Sequence, residues 1–221
     1  ENNLAETAFI VPVGEQYEIR WFTPTVEVDL CGHATLASAY VLFKELGFAR
    51  SHINFFSPRS GPLTVSNNGS VLALNFPVDA LTELPVQAEH AIGLSHAPHE
   101  VCKGKTDYLF VYNSEAEIVN LQPDFEALKS HPVRGIIVTA PGDNTDFVSR
   151  FFGPNCGVNE DPVTGSAHTT LTPYWASVLG KTELKARQLS QRSGELTCRL
   201  LGDRVEISGE AILYLRGEIE I

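Results

Sequence analysis

Apolar and polar residues alternate along Thr7–Val13 and again over 17–22, the period of half-buried strands, with Gly14-Glu15-Gln16 as the turn between them. The period then changes. Leu36, Ala39, Tyr40, Phe43 and Leu46 recur at helical spacing, which predicts a mostly buried helix over 35–46 closed by Gly47. Strands are predicted at 53–56, 63–65 and 71–76, the last two joined by an Asn67-Asn68-Gly69 turn. The polar, proline-bounded stretch 77–85 reads as a domain junction. Beyond it the pattern predicts a short helix near 88–94, strands at 108–112 and 135–139 with a helix near 123–130 between them, and a strand-like segment at 150–152. A second long helix is predicted over 166–179, closed by Gly180; Pro173 inside it should kink it or shift its register. Segments 185–189, 195–200, 204–208 and 211–216 complete the chain as a strand meander around Gly202-Asp203.

The predicted elements occur twice. Ser57-Pro58-Arg59-Ser60-Gly61-Pro62-Leu63-Thr64 returns 133 residues later as Ser190-Gln191-Arg192-Ser193-Gly194-Glu195-Leu196-Thr197. At the same offset Gly32-His33-Ala34 meets Gly165-Ser166-Ala167, Gly47 meets Gly180, and Gly69 meets Gly202. Arg20-Trp21-Phe22-Thr23-Pro24 is echoed at an offset of 130 by Arg150-Phe151-Phe152-Gly153-Pro154. Two copies of this length exceed a solenoid unit and fit two homologous domains, 1–84 and 85–221. The expected fold is α+β: two pseudo-symmetric domains, each a mostly antiparallel sheet wrapped around a central helix that has no polar face. Such domains enclose a cleft to which each brings the same helix start.

Composition narrows the function. At 221 residues, 43% hydrophobic and 19% charged, the chain can bury two modest cores, one per repeat. A net charge of −11 argues against a nucleic-acid binder but leaves room for a small anion held at a helix start. No apolar run is long enough to span a membrane, and no signal-peptide pattern opens the chain. Cys31, Cys102, Cys156 and Cys198 lack zinc or C-x-x-C spacing and the seven histidines are scattered, so free thiols in a cytoplasmic protein and no metal are expected. The chain opens on Glu1 and contains no methionine. A longer protein is therefore expected, with an N-terminal segment ahead of Glu1 and methionines missing from between some of the residues that stand adjacent here.

Small residues from Thr164 to Ala167 would let a ligand approach the N–H groups of the second helix start, where the dipole favours a carboxylate or phosphate. Plain N-capping by Thr164 or Ser166 is the competing reading. The first helix start, Asp29-Leu30-Cys31-Gly32-His33-Ala34-Thr35, is built alike. Two anion-friendly starts facing one cavity suit a substrate that develops negative charge as a carbanion or enolate. His33 beside such a start is expected to stay neutral. Asp161 near its repeat mate would complete a carboxylate–imidazole set able to hold and move a proton. Glu6, taken alone, reads as a solvated strand-edge residue. Cys31 is either a thiol activated by the helix start or a small buried residue.

Three segments in order, Asn3-Leu4-Ala5-Glu6-Thr7-Ala8-Phe9, Arg20-Trp21-Phe22-Thr23-Pro24 through Glu27-Val28-Asp29-Leu30-Cys31-Gly32-His33-Ala34-Thr35, and Glu160-Asp161-Pro162-Val163-Thr164-Gly165-Ser166-Ala167, resemble the phenazine-biosynthesis isomerase (PhzF-like) family over nearly the whole chain. The resemblance implies a diaminopimelate-epimerase-like fold, a site between the domains, and proton chemistry without a cofactor. It puts the acid/base glutamate on Glu6, further catalytic positions on His33 and Asp161, and substrate-holding ones on Gly32, Gly165 and Ser166. Family members normally begin some tens of residues earlier. The expected substrate is a small anionic or amino-acid-like molecule, with no nucleic acid or membrane as partner and a homodimer as the assembly. An amino-acid racemase or epimerase using Cys31 ranks second, because Asp161 rather than a thiol stands at the other helix start. A non-catalytic binding or scaffold protein of the same fold ranks third.

Overall fold

The computed structural model describes Leu4 and residues 6–218; Asn3 and Ala5 of the first motif lie outside them. In chain order the elements are β1 (Thr7–Val13), β2 (Gln16–Phe22), β3 (Glu27–Val28), α1 (Gly32–Tyr40), β4 (His52–Ser57), β5 (Gly61–Asn68), β6 (Val71–Pro77) and β7 (Thr82–Leu84). There follow β8 (Glu100–Lys103), β9 (Asp107–Val111), α2 (Glu115–Asn120), α3 (Phe125–Leu128), β10 (Gly135–Pro141), β11 (Phe147–Gly153) and β12 (Val158–Glu160). The last are α4 (Gly165–Leu179), β13 (Glu183–Gln188), β14 (Gly194–Leu201) and β15 (Arg204–Glu210). No helix among the described residues is long and apolar enough to cross a membrane.

Among the described residues all fifteen strands join one sheet, mostly antiparallel, with parallel pairs only at β2–β4, β9–β10 and β11–β13. The two repeats join at the β6–β15 pair, where Leu74 stands opposite Ile207. Those two residues are 133 apart, as are Val71 and Arg204, so the pairing maps each repeat onto the other about a pseudo-two-fold axis. The duplication reaches side chains. Arg20 makes a two-pronged ion pair with Glu27 while stacking on Phe22, and Arg150 does the same with Glu160 and Phe152.

Both repeat helices are flanked by the sheet as expected, but the core is not one cluster per repeat. A single cluster runs through both halves, from Trp21, Phe43 and Phe76 to Phe147, Trp175 and Ile207. A second lies wholly in the later half, around Phe110, Tyr112, Ile136 and Phe152. Continuous pairing across β6–β15 merges the two interiors, and the extra strands β8 and β9 with α2 and α3 build the second cluster.

Helix α1 begins three residues before the predicted start, because Gly32, His33 and Ala34 carry no apolar period; it ends in a π-helical turn over Val41–Glu45. Helix α4 runs unbroken through Pro173. Pro173 has no N–H for the Thr169 carbonyl four residues back. The Asp79 N–H donates to that carbonyl at 3.2 Å, and the Asp79 carboxylate accepts from Thr170 Oγ1 at 3.0 Å. The segment 88–94 holds only a 3-10 turn at Ala88–Ala91, and the 123–130 helix shrinks to four residues. The predicted strand at 211–216 is absent, since β15 is already paired on both sides and offers no edge for another.

Candidate active site between the helix starts

The starts of α1 and α4 meet at the pseudo-two-fold axis. A Cβ on Gly32 would fall 2.9 Å from the Gly165 Cα, and a Cβ on Gly165 would fall equally close to Gly32. Glycine at both positions is what lets the two backbones approach. Among the described residues neither helix start has a side-chain cap: Cys31 and Thr164 occupy the cap positions without bonding the helix N–H groups. The capping reading of Thr164 and Ser166 therefore fails, because both hydroxyls are engaged elsewhere.

Around this contact lies a cavity of about 30 Å³, lined by Glu6, Cys31, Gly32, His33, Arg134, Asp161, Gly165 and Ser166 among others. All six residues predicted for catalysis and substrate binding come together here. A larger cleft of about 1160 Å³ shares Gly32, His33, Asp161 and Gly165 with it, so the small cavity adjoins open space.

The duplicated scaffold carries different chemistry on its two sides. On the α1 side, Glu6 Oε2 lies 3.2 Å from His33 Nε2, in a contact not aligned as a hydrogen bond. His33 Nδ1 lies 3.2 Å from the Val163 carbonyl, and Cys31 Sγ is 3.7 Å from Nε2. Both ring nitrogens thus face acceptors. Burial would lower the His33 pKa, but Cys31, Glu6 and the Asp161 charge outweigh it and raise the pKa well above the ordinary imidazole value. This corrects the expectation of a neutral His33: two adjacent acceptors overcome the partial charge of a helix start.

On the α4 side, Thr164 Oγ1 donates to Asp161 Oδ2 at 2.6 Å and accepts from Gln188 Nε2 at 3.0 Å. Gln188 also binds the Asp161 carbonyl and the Thr164 N–H, which fixes the loop through Pro162. Asp161 Oδ1 is buried without a partner among the described residues. Burial raises the Asp161 pKa, opposed by His33, Thr164 and Arg134. Asp161 is thus not the group that orients His33; Glu6 and Val163 hold that ring. Ser166 Oγ accepts from Arg134 Nη2 at 3.1 Å, leaving its own proton free to donate. Arg134 is in turn fixed by buried Asp107 and by the Phe151 ring.

Arg134, Thr164 and Gln188 are the positions that sequence patterning missed as site residues. Two had a signal. Gln188 stands 133 residues after Phe55, a polar residue at an apolar repeat position, and Arg134 precedes β10 much as Glu6 precedes β1.

The phenazine biosynthesis-like (PhzC-PhzF) family model matches residues 1–217. The chain is 52% identical over 223 residues to an uncharacterized isomerase of Pseudomonas aeruginosa, covering all of this chain and 85% of that protein. A PhzF family phenazine biosynthesis protein from Enterococcus faecalis superposes with a TM-score of 0.94 at 46% identity, covering all of this chain and 84% of that one. A predicted epimerase from P. aeruginosa, at 16% identity, shares the fold alone, with a TM-score of 0.68 over 98% of this chain and 84% of that one. The chain belongs to the PhzC-PhzF family, with the epimerase-like α+β fold and the isomerase character of that family.

Proposed function

We propose that this protein is a cofactor-independent isomerase that moves a proton on a small carboxylate-bearing substrate. The observation that carries this reading is the pairing of Glu6 with His33 at 3.2 Å against two uncapped helix starts. Glu6, beside His33, removes a proton from a carbon next to an unsaturated acid or carbonyl. The electron pair left on that carbon delocalises into the substrate's π system, where His33 and the helix N–H groups stabilise the negative charge. Glu6 then returns the proton at another carbon on the same face, so the double bond migrates and no net oxidation occurs. Gly32, Gly165 and Ser166 hold the carboxylate; Arg134 fixes Ser166. Asp161, with its burial-raised pKa, offers a proton to the same group.

The racemase reading gains one observation, since Cys156 lines the cavity together with Cys31. Cys156 contacts the Gly153 carbonyl at 3.1 Å and burial pushes its pKa up, which makes it a poor partner base. Incubating candidate carboxylates in D₂O separates the readings. Deuterium uptake with double-bond migration supports the isomerase, inversion at one carbon the racemase, and absence of exchange a binding protein.

A further inference from the structure

We propose that Gln188 and Thr164 are positioning residues that decide where a neutral Asp161 carries its proton, confining it to Oδ1. The hydrogen-bond directions follow from the groups themselves. The Thr164 backbone N–H can only donate, and it meets Gln188 Oε1 at 2.7 Å. The Asp161 carbonyl can only accept, and it meets Gln188 Nε2 at 2.7 Å. These two bonds fix which way round the amide lies. Its second N–H then donates to Thr164 Oγ1 at 3.0 Å, and the single hydroxyl proton of Thr164 goes to Asp161 Oδ2 at 2.6 Å. Oδ2 is thereby committed as an acceptor, whereas Oδ1 is buried without a partner among the described residues. A proton on Oδ2 would turn the Thr164 hydroxyl away and leave its own proton as an unsatisfied buried donor.

The first repeat shows that the scaffold can be built without this relay. The residues 133 places before Asp161, Thr164 and Gln188 are Val28, Cys31 and Phe55, so no carboxyl, hydroxyl or amide stands at any of the three positions. Val28 and Cys31 line the small cavity as Asp161 and Thr164 do, and Phe55 is as buried as Gln188. Burying polar side chains costs free energy even when their hydrogen bonds are made. Three of them placed together on one side of the pseudo-two-fold axis, against none on the other, mark a group kept for the site and not for the fold. Asp161 lines both the small cavity and the large cleft, so the oxygen that the relay leaves uncommitted is the one a ligand can reach. Burial, the largest influence on Asp161, raises its pKa and favours the protonated form, against the opposing pull of His33, Thr164 and Arg134.

That this proton serves turnover rests on the proposed function, whereas its placement rests on the hydrogen bonds alone. The test is infrared difference spectroscopy of the full chain with ¹³C-labelled aspartate carboxyls, stepped toward acid pH. The Asp161 band is the one absent from Asp161→Asn. A proton on Oδ1 leaves Oδ2 as the carbonyl, bonded to Thr164, and a hydrogen-bonded carbonyl stretches at lower frequency than a free one. Thr164→Val should move the band to higher frequency and raise the pH at which it appears, because the ionised form loses a donor. Thr164→Ser should keep both at their wild-type values. Circular dichroism confirms that each variant is folded, and the wild-type frequency decides by itself if Thr164→Val does not fold. A wild-type band at the frequency of a free carbonyl, or one unmoved in folded Thr164→Val, would overturn the proposal. So would the absence of a protonated Asp161 band down to the acid limit of the folded state. With a carboxylate that wild type turns over, Thr164→Val should lower kcat about tenfold at nearly constant KM. The expected band shift with turnover unchanged would leave the placement standing and count against Asp161 as a proton source in the proposed reaction.

Discussion

Gly32 and Gly165, repeat mates 133 residues apart, touch backbone to backbone where the two helix starts meet, so closely that a methyl group on either would lie 2.9 Å from the other's Cα. Alanine at either position would gain up to about 1 kcal/mol of helix propensity. Overpacking costs typically about 1–3 kcal/mol, and here the opposing atom is backbone that cannot rotate away. Strain should win. Gly32→Ala or Gly165→Ala should lose about 1–2 kcal/mol, a fall in Tm of about 2–8 °C for a chain of this size. A Tm that holds or rises would mean that the helix starts can part without cost.

Arg134 is bound to Asp107, whose side chain is buried, and holds Ser166. Arg134→Met should destabilise the fold by about 3–5 kcal/mol by leaving a buried carboxylate unpaired. Ser166→Ala removes only a hydroxyl at the helix start and should weaken ligand binding by about 0.5–1.5 kcal/mol, more if the partner is charged. Urea titration for the first and calorimetric binding for the second would distinguish scaffold from substrate contact.

Much of this was readable from residue patterns. Strand β1 has the predicted bounds, and α4 starts one residue before its predicted start. The repeat was legible because backbone-determining residues recur: Gly32 with Gly165 at the helix contact, Ser57 with Ser190 at the turn. The site's far side was not, because Arg134 and Gln188 act through contacts between segments that no local period records. Helix α2 carries a capping box at Ser114 and Glu117, but its six residues are too short for an apolar repeat. The segment 211–216 has strand-like composition without a free sheet edge, and pairing rather than composition decides whether a strand forms.

Asp161 is held by Thr164 and Gln188 and keeps one oxygen uncommitted in the cavity. Asp161→Asn keeps the shape and removes the ionisable group. Turnover should fall more than substrate binding, seen as a drop in kcat with KM nearly constant. Small, equal effects on binding alone would reduce Asp161 to a loop anchor.

His168 is fully buried, and burial depresses its pKa from 6.5 to about 4, despite the Thr164 carbonyl beside it. A depressed folded-state pKa means that the unfolded chain takes up the proton first. The neutral histidine's contribution is therefore complete above pH 6.5 and is lost as pH falls toward 4. The loss is on the order of 3 kcal/mol. His168→Asn should show a correspondingly shallower fall in stability over that window in denaturant titrations at stepped pH. An unchanged slope would mean that other groups set the acid limit.

Deuterium exchange reads out whether Glu6 carries the proton. Wild type and Glu6→Gln would be incubated in D₂O with a panel of small unsaturated and amino-acid-like carboxylates and followed by NMR. Wild type should introduce deuterium into the carbon skeleton of one of them as its double bond migrates, while folded Glu6→Gln should bind that molecule without exchange. Equal exchange by both proteins would remove Glu6 from the mechanism.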